Sequence, residues 1–451
     1  MLLLGVLPIQ KIKLTTLNKM EENNKVSTDR RSFLKTAGAA TFGANLILPS
    51  SIFGRNDTKT LKIGLVGCGG RGSGAANQAL AADDNVVLAY MADIFPDKME
   101  KSLKNLKELH GAKVQVPESN QFFGFDAYQK LIDSDVDVVL LATPPCFRPD
   151  HLLYAVNKKK HIFTEKPMAV DMPGLQKVYE AARIAEANNT SLMSGFCWRY
   201  HYPKRAAFGK VQEGAIGEVT SIYNTYNTGY LWEFPRKDGW SDMENQLRNW
   251  VYYNWLAGDH IMEQAIHSID MMVWAKGNVM PTKAVGSGGR QRRTEERYGN
   301  IYDHFSIVYE WEDGSRGYHM SRQQKDTKRS YAVEVMGTDG KLTVDCIRRK
   351  HYITGKNEWK YKGKSNDMYQ TEHDELFAAI RADKPVNDGE WMANSTLLAL
   401  WGRMVAYTGA EITLEEAKAS TEQLGPDIDK FDWDLKWESN PVAMPGITEF
   451  K

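Results

Sequence analysis

The sequence predicts an α/β protein with two layers of organisation: a parallel sheet first, then a second α/β domain with an antiparallel sheet. Three observations predict it. Between Leu61 and Phe196 short apolar runs alternate with helical patterns, which is the rhythm of βαβ units. A glycine-rich loop, Gly67-x-Gly69-x-x-Gly72, follows the first of those runs directly. After Tyr200 the runs lengthen, and Asp313-Gly314 and Asp339-Gly340 fall between alternating stretches as hairpin turns.

Residues 1–58 are set apart as a targeting segment and linker. Arg30 and Arg31 precede Ser32, Phe33, Leu34 and Lys35, and a weakly apolar run, TAGAATFGANLILP, follows. This resembles a twin-arginine signal, which addresses an already folded protein to the periplasm. The run carries no clean A-x-A site, which leaves both cleavage and retention at the membrane open.

The first domain is expected over residues 59–198, with LKIGLV, VVLAYMAD, VDVVLLAT, HIFTEK and SLMSGF as its strands. The loop after LKIGLV suits a Rossmann dinucleotide site. Gly67 makes the turn, Gly69 lets the backbone reach a pyrophosphate, and Gly72 lets helix and strand pack closely. Gly70 and Arg71 complete the loop, and the helix N-terminus receives the negative charge. Asp93 closes the next strand 21 positions beyond Gly72, where it would bond the adenosine ribose diol and repel a 2′-phosphate. The expected cofactor is therefore NAD, although Arg71 beside the loop could receive a 2′-phosphate.

The second domain is expected over residues 199–451. Its strands are EVTSIYNTYNTG, TKAVGSGGRQRR, HFSIVYEWEDGSRGYHMSR and YAVEVMGTDGKLTVD, and its tail is helical at HDELFAAIRA and STLLALWGRMVAYTG. Between them AGDHIMEQAIHSIDMMVW, residues 257–274, reads as one helix. Residues four apart share a helix face, so Glu263 and His267 would point at one site with His260 a turn back. Asp259 follows Gly258 at the helix start, where it can also cap. Aromatics crowd the segment from Trp198 to Trp255, among them Tyr226 and Tyr230, and such rings stack on the apolar faces of sugars. Arg199, Tyr200, Trp255, Asp259 and His260 are the candidate substrate contacts.

Composition sets the outer bounds. The 57 basic and 57 acidic residues leave no net field, which argues against nucleic acid as a partner. Cys68, Cys146, Cys197 and Cys346 lie far apart with no CxxC pair and no zinc spacing, so no metal is expected. No run of about 20 uninterrupted apolar residues marks an ordinary membrane span.

At TEKPMAVD, residues 164–171, the strand end carries Glu165-Lys166-Pro167. This resembles the E-K-P motif of the Gfo/Idh/MocA family, and the resemblance extends through ATPPCFRPDH, residues 142–151, to Thr371–Leu376. It implies an N-terminal Rossmann domain that binds NAD(P) and a C-terminal α/β domain with an open, mostly antiparallel sheet. Thr143, Pro144, Glu165 and Lys166 then join the cofactor site. Lys166 would sit by the nicotinamide and the substrate hydroxyl. His267 matches the family histidine as general base, and Glu263 stands where an aspartate is usual.

What the resemblance implies is an oxidoreductase acting on a hydroxyl of a sugar or glycoside, built as a homo-oligomer, dimer or tetramer. Export of a folded protein would carry NAD out of the cytoplasm inside it, so NAD(H) should be tightly bound and recycled in place. Two other readings stand beside this one: a redox-assisted glycoside hydrolase working by oxidation and elimination without net oxidation, and a non-catalytic sugar or dinucleotide sensor. Intact Lys166 and His267 count against the sensor.

Overall fold

A computed structural model describes residues 59–451; Arg30, Arg31 and the rest of the signal-like stretch lie outside the described residues. Six strands, β1 (Leu61–Val66), β2 (Val86–Asp93), β3 (Gln121–Phe123), β4 (Val138–Leu141), β5 (His161–Thr164) and β6 (Leu192–Ser194), pair in the order β3-β2-β1-β4-β5-β6. Every pairing is parallel. The apolar runs of β1 and β4 are covered on both faces, which is why they read as continuous rather than alternating. The order reverses between β1 and β4, and ligands of open α/β sheets bind at such a switch point.

Nine further strands form the second sheet: β7 (Val219–Thr228), β8 (Lys283–Gly289), β9 (His304–Glu310), β10 (Arg316–Gln323), β11 (Ser330–Gly337), β12 (Gly340–Asp345), β13 (Lys350–Gly355), β14 (Trp359–Lys360) and β15 (Ile412–Thr413). Their order is β14-β13-β12-β11-β7-β10-β9-β8-β15, and all pairs are antiparallel except β7 with β10. Both Asp-Gly turns connect neighbouring antiparallel strands, with Gly314 at a φ of +79°. Strand β10 alternates strictly: Tyr318 and Met320 face out while Gly317, His319 and Ser321 face in. The inner face is closed by the helices Ile266–Ala275 and Gly389–Thr408. Ser268 ties the first of them to the sheet, its hydroxyl donating to Thr225 O at 3.0 Å while its carbonyl accepts from Asn224 Nδ2 at 3.0 Å.

Residues 368–408 follow the second sheet's main strands but return to the first. Leu376 and Phe377, on the helix Met368–Arg381, share a core with Leu65, Leu140 and Phe163. Leu192 N donates to Val386 O at 2.8 Å, extending the parallel sheet past β6. The same helix ends with Arg381 on Asp83 at 2.7 Å.

The helix expected over 257–274 is broken. Gly258 takes a left-handed φ of +76° and so does Asp259, then His260–Glu263 makes one turn, and a second helix begins only at Ile266. Gln264 and Ala265 both donate to His260 O, at 3.1 and 3.0 Å, so the chain is wound wider between Glu263 and His267. The premise of a shared helix face is therefore corrected. Tertiary contacts, not an unbroken i, i+4 ladder, set where these two side chains point.

Eight of the ten histidines are held below the ordinary imidazole value, with burial as the largest cause. His151, His319 and His351 are pushed down to about 3, about 3 and about 4. These groups are neutral in the fold and charge more readily once unfolded, so stability is lost from pH 6.5 downward towards pH 3. Each fully buried histidine contributes about 1 kcal/mol per pH unit in that window. The melting temperature is expected to fall steeply between pH 7 and pH 5, as scanning calorimetry would record.

Candidate active site

The glycine loop is shaped by close backbone approach. Gly67 has a φ of +94°, and a Cβ there would lie 2.8 Å from Thr143 N. A Cβ on Gly72 would lie 1.8 Å from Gly67 O, whereas Gly69 and Gly70 face open space. The open pair heads the helix Gly70–Ala82, whose first amides have no acidic side chain to satisfy them. That is the cradle a pyrophosphate needs. From it a cleft runs past Asp93, Phe95, Phe125, Thr143, Pro144 and Trp250.

Asp93 grips the loop from below, its carboxylate accepting from Cys68 N at 2.6 Å and from Phe95 N at 2.8 Å. Burial pushes its carboxyl up, against those two amides. Lys98, which the sequence did not single out, lines the same cleft and has its ammonium pushed down by burial. The apolar end is built from the second half of the chain as well: Trp433 packs 5.0 Å from Phe125, and Phe431 packs 4.7 Å from Phe147. The donor set, the glycine cradle and the acidic strand end fit NAD.

Arg71 does not face the ribose end. Its Nε lies 2.7 Å from Glu165 Oε1, and its guanidinium stacks 4.8 Å over Tyr369. The 2′-phosphate alternative raised by this arginine is thereby removed. Glu372, fully buried, presses on the same pair, and its carboxyl is pushed well up by burial and by Glu165. Arg148, fully buried behind Thr143, donates to Thr143 O and Pro167 O and so ties the two loops together.

Lys166 stands at the carboxyl edge of the parallel sheet, just past β5, and meets the broken helix. Its Nζ donates to the Glu263 carbonyl and lies 3.3 Å from Glu263 Oε1. His267 lies close enough for the Lys166 charge to reinforce burial in holding its imidazole well below the usual value. Its ring stacks on Trp198 at 5.2 Å and meets Phe196 edge-on at 6.3 Å. Its Nδ1 is buried without a hydrogen-bond partner among the described residues. A neutral imidazole beside a lysine ammonium is an arrangement for taking a hydroxyl proton while a cation holds the oxygen.

None of the five expected substrate contacts reaches this place. Asp259 has no exposed surface, and its carboxylate accepts from Tyr407 Oη at 2.6 Å, Tyr302 N at 2.7 Å and His260 N at 2.5 Å. His260 packs edge-on to Phe305. Trp255 is fully buried with its Nε1 on Gln246 at 2.8 Å. Tyr200 donates to Asp388 at 2.5 Å, and Arg199 clamps Asp270 at 2.7 Å between Trp391 and Trp274. All five are corrected to core roles, because their side chains are buried or nearly so and, His260 Nε2 apart, their polar groups already have protein partners. Trp198 and Tyr226, 6.2 Å apart, are the aromatics that flank the site instead. Tyr369 and Cys197 lie behind them.

The model of an oxidoreductase family with an NAD-binding Rossmann fold matches residues 61–196, and that of the GFO/IDH/MocA C-terminal domain matches residues 205–343. A glycosyl hydrolase family 109 protein of Bacteroides thetaiotaomicron is 26% identical over 231 residues, covering 50% of this chain and 47% of that protein. A 2,7-anhydro-N-acetylneuraminate hydratase of Escherichia coli is 23% identical over 210 residues, 47% of this chain and 52% of its own length. The chain thus spans about half the length of these curated relatives. A levoglucosan dehydrogenase solved with NADH shares the fold at a TM-score of 0.63, with 18% identity over 79% of this chain and 99% of that one.

Proposed function

We infer that this chain, which belongs to the Gfo/Idh/MocA family of NAD-binding oxidoreductases, acts on a hydroxyl of a sugar or glycoside. The observation that carries the reading is that Lys166, just past β5 at the carboxyl edge of the parallel sheet, meets Glu263 and lies close enough to His267 for its charge to act on the imidazole. NAD, when bound, supplies the hydride acceptor. Everything else is done by this chain. Gly67, Gly69 and Gly70 with the following amides seat the pyrophosphate, and Asp93 accepts from the ribose. Lys166 holds the substrate oxygen and steadies its developing charge, Glu263 fixes the lysine, and His267 takes the proton.

Redox-assisted hydrolysis is the second reading, supported by the likeness to a glycosyl hydrolase family 109 protein. There a transient ketone acidifies the neighbouring C–H, the aglycone leaves by elimination, water adds across the resulting double bond, and the hydride is returned to the ketone. Export by the twin-arginine route is part of the proposal and rests on Arg30 and Arg31. Tight, internally recycled NAD(H) goes with it. A second copy of this chain is the partner proposed for the open sheet face, where Tyr223, Val285, Tyr318 and Met320 are exposed.

The test uses protein purified without added cofactor. Mass spectrometry of the released nucleotide is expected to show NAD or NADH. Adding free sugars is then expected to give one stoichiometric rise in NADH absorbance with ketosugar formed. Continuous release of nitrophenol from p-nitrophenyl glycosides without net NADH would move the assignment to the hydrolase, and an empty site would sink the carried-cofactor proposal.

A further inference from the structure

The adenosine half of the cofactor cleft is not walled by the first domain alone. Beyond Asp93 the lining passes to Ile94 and Phe95, and is completed by Leu247 and Trp250 of the second domain. Those two belong to the helix Asp242–Arg248 and to the short turn Trp250–Tyr252 that follows it. Asp93 marks the ribose, so the space past it is where the adenine lies.

The piece that carries this wall is fastened across the cleft. Arg248, between Leu247 and Trp250, donates from both terminal nitrogens to Asp97, at 3.2 and 3.1 Å. Asp97 stands in the first turn of the helix Pro96–His110, just past the ribose residue. The guanidinium also lies 4.1 Å over the Phe95 ring and 4.9 Å over the Trp240 ring, one from each domain. Glu244, a turn back on the same helix, orients it through Nε at 2.8 Å. The remaining side-chain bonds of this piece stay within the second domain: Gln246 donates to Trp437 O at 3.3 Å, and Asn249 holds Phe234 by both backbone groups, at 2.8 and 3.0 Å. Among the described residues, the polar contacts of residues 242–250 that cross to the first domain are those of Arg248 with Asp97.

We propose that Leu247–Trp250 is a gate over the adenine end of the cofactor cleft and that Arg248 latches it, so that nucleotide passes only when Arg248 lets go of Asp97 and Phe95. The proposal rests on the reading of NAD(H) as a retained cofactor and names the side chains that retain it. The latch is made of protein groups alone, so it slows entry as much as exit. It therefore sets the rate of exchange and leaves affinity nearly unchanged. A direct contact to the nucleotide does otherwise, because its loss speeds exit and weakens affinity by the same factor.

The test follows exchange of bound NAD for isotopically labelled NAD in the holoprotein by mass spectrometry, with equilibrium dialysis for affinity. R248M, which keeps the apolar stem and loses the fork, is expected to exchange about tenfold faster or more, the scale of a largely desolvated cation–π contact together with an ion pair. Its Kd is expected to stay within about threefold of wild type. D97N is expected to gain only about twofold, since Asp97 is 64% exposed and such a pair is worth little. Should R248M not fold, W240L, which removes one ring of the sandwich, is read by the same two measurements. Equal exchange rates in wild type and variant would overturn the latch, and so would faster exchange matched by an equal loss of affinity. With wild-type exchange slow, either result leaves the retained-cofactor reading standing. Equal rates with wild-type exchange complete within seconds would overturn both.

Discussion

Replacing Lys166 by alanine is expected to lower turnover by about 10²–10⁴-fold while bound nucleotide is retained. The lysine is held by the Glu263 carbonyl and carboxylate rather than by the cradle glycines, so the loss falls on the chemical step and not on NAD binding. His267→Ala is expected to lose a similar factor, and the two losses should not add, because one residue holds the oxygen whose proton the other takes. Single-turnover formation of ketosugar, compared between wild type and the two variants, measures this. Undiminished turnover in either variant would remove that residue from the mechanism.

The same geometry fixes a pH signature. The imidazole of His267 is held well below its usual value by burial first and by the Lys166 and Lys204 charges next. It is therefore neutral and competent across the neutral range, and kcat/KM is expected to stay flat as pH falls through 6.5. Loss of the Lys166 charge in K166A relaxes one of those causes, so any acid limb from His267 should move upward in that variant.

The second large effect is on stability. Asp259→Ala is expected to destabilise the fold by about 3–5 kcal/mol, the usual cost of breaking a buried charge network from one side. Three donors lose their acceptor together: Tyr407 Oη, Tyr302 N and His260 N. Arg293, itself fully buried and bonded to Tyr302 O at 2.6 Å, loses a nearby counter-charge as well. Urea unfolding should show the midpoint falling with little change in slope. A substrate contact would behave differently, leaving the midpoint where it was and weakening sugar affinity, so the experiment separates the two roles directly.

The parallel sheet and the glycine cradle could be read from the chain because each is local. Apolar runs bounded by turns make strands, and a strand that must bend sharply onto a helix needs glycine at Gly67 and Gly72, where any side chain would strike backbone. The Asp-Gly hairpins were legible for the same reason. Strand β3, of three residues, and the polar β13 and β14 carried too little pattern to be seen. In their case pairing comes from the neighbouring strand, not from their own sequence.

The site divides along the same line. Lys166 was singled out by a motif at a strand end, and Glu263 and His267 by a helical motif of the family resemblance, although the helix assumed to align these two is broken at Gln264 and Ala265. Arg199, Tyr200, Trp255, Asp259 and His260 have the residue types of a sugar site, and the sequence alone could not separate them from Trp198 and Tyr226. What separates them is which partner fills each polar group, and those partners come from far along the chain: Asp270, Asp388, Gln246 and Tyr407. Glu372 and Lys204 were invisible for a related reason, since only packing shows that such a side chain is turned inward. By itself the sequence determined the fold class and the dinucleotide loop, which follow from short-range geometry, and the family resemblance singled out Lys166 and His267. The tertiary structure alone decided which polar groups are satisfied in the core and which are left for a ligand, because a hydrogen bond is a property of two residues that folding brings together.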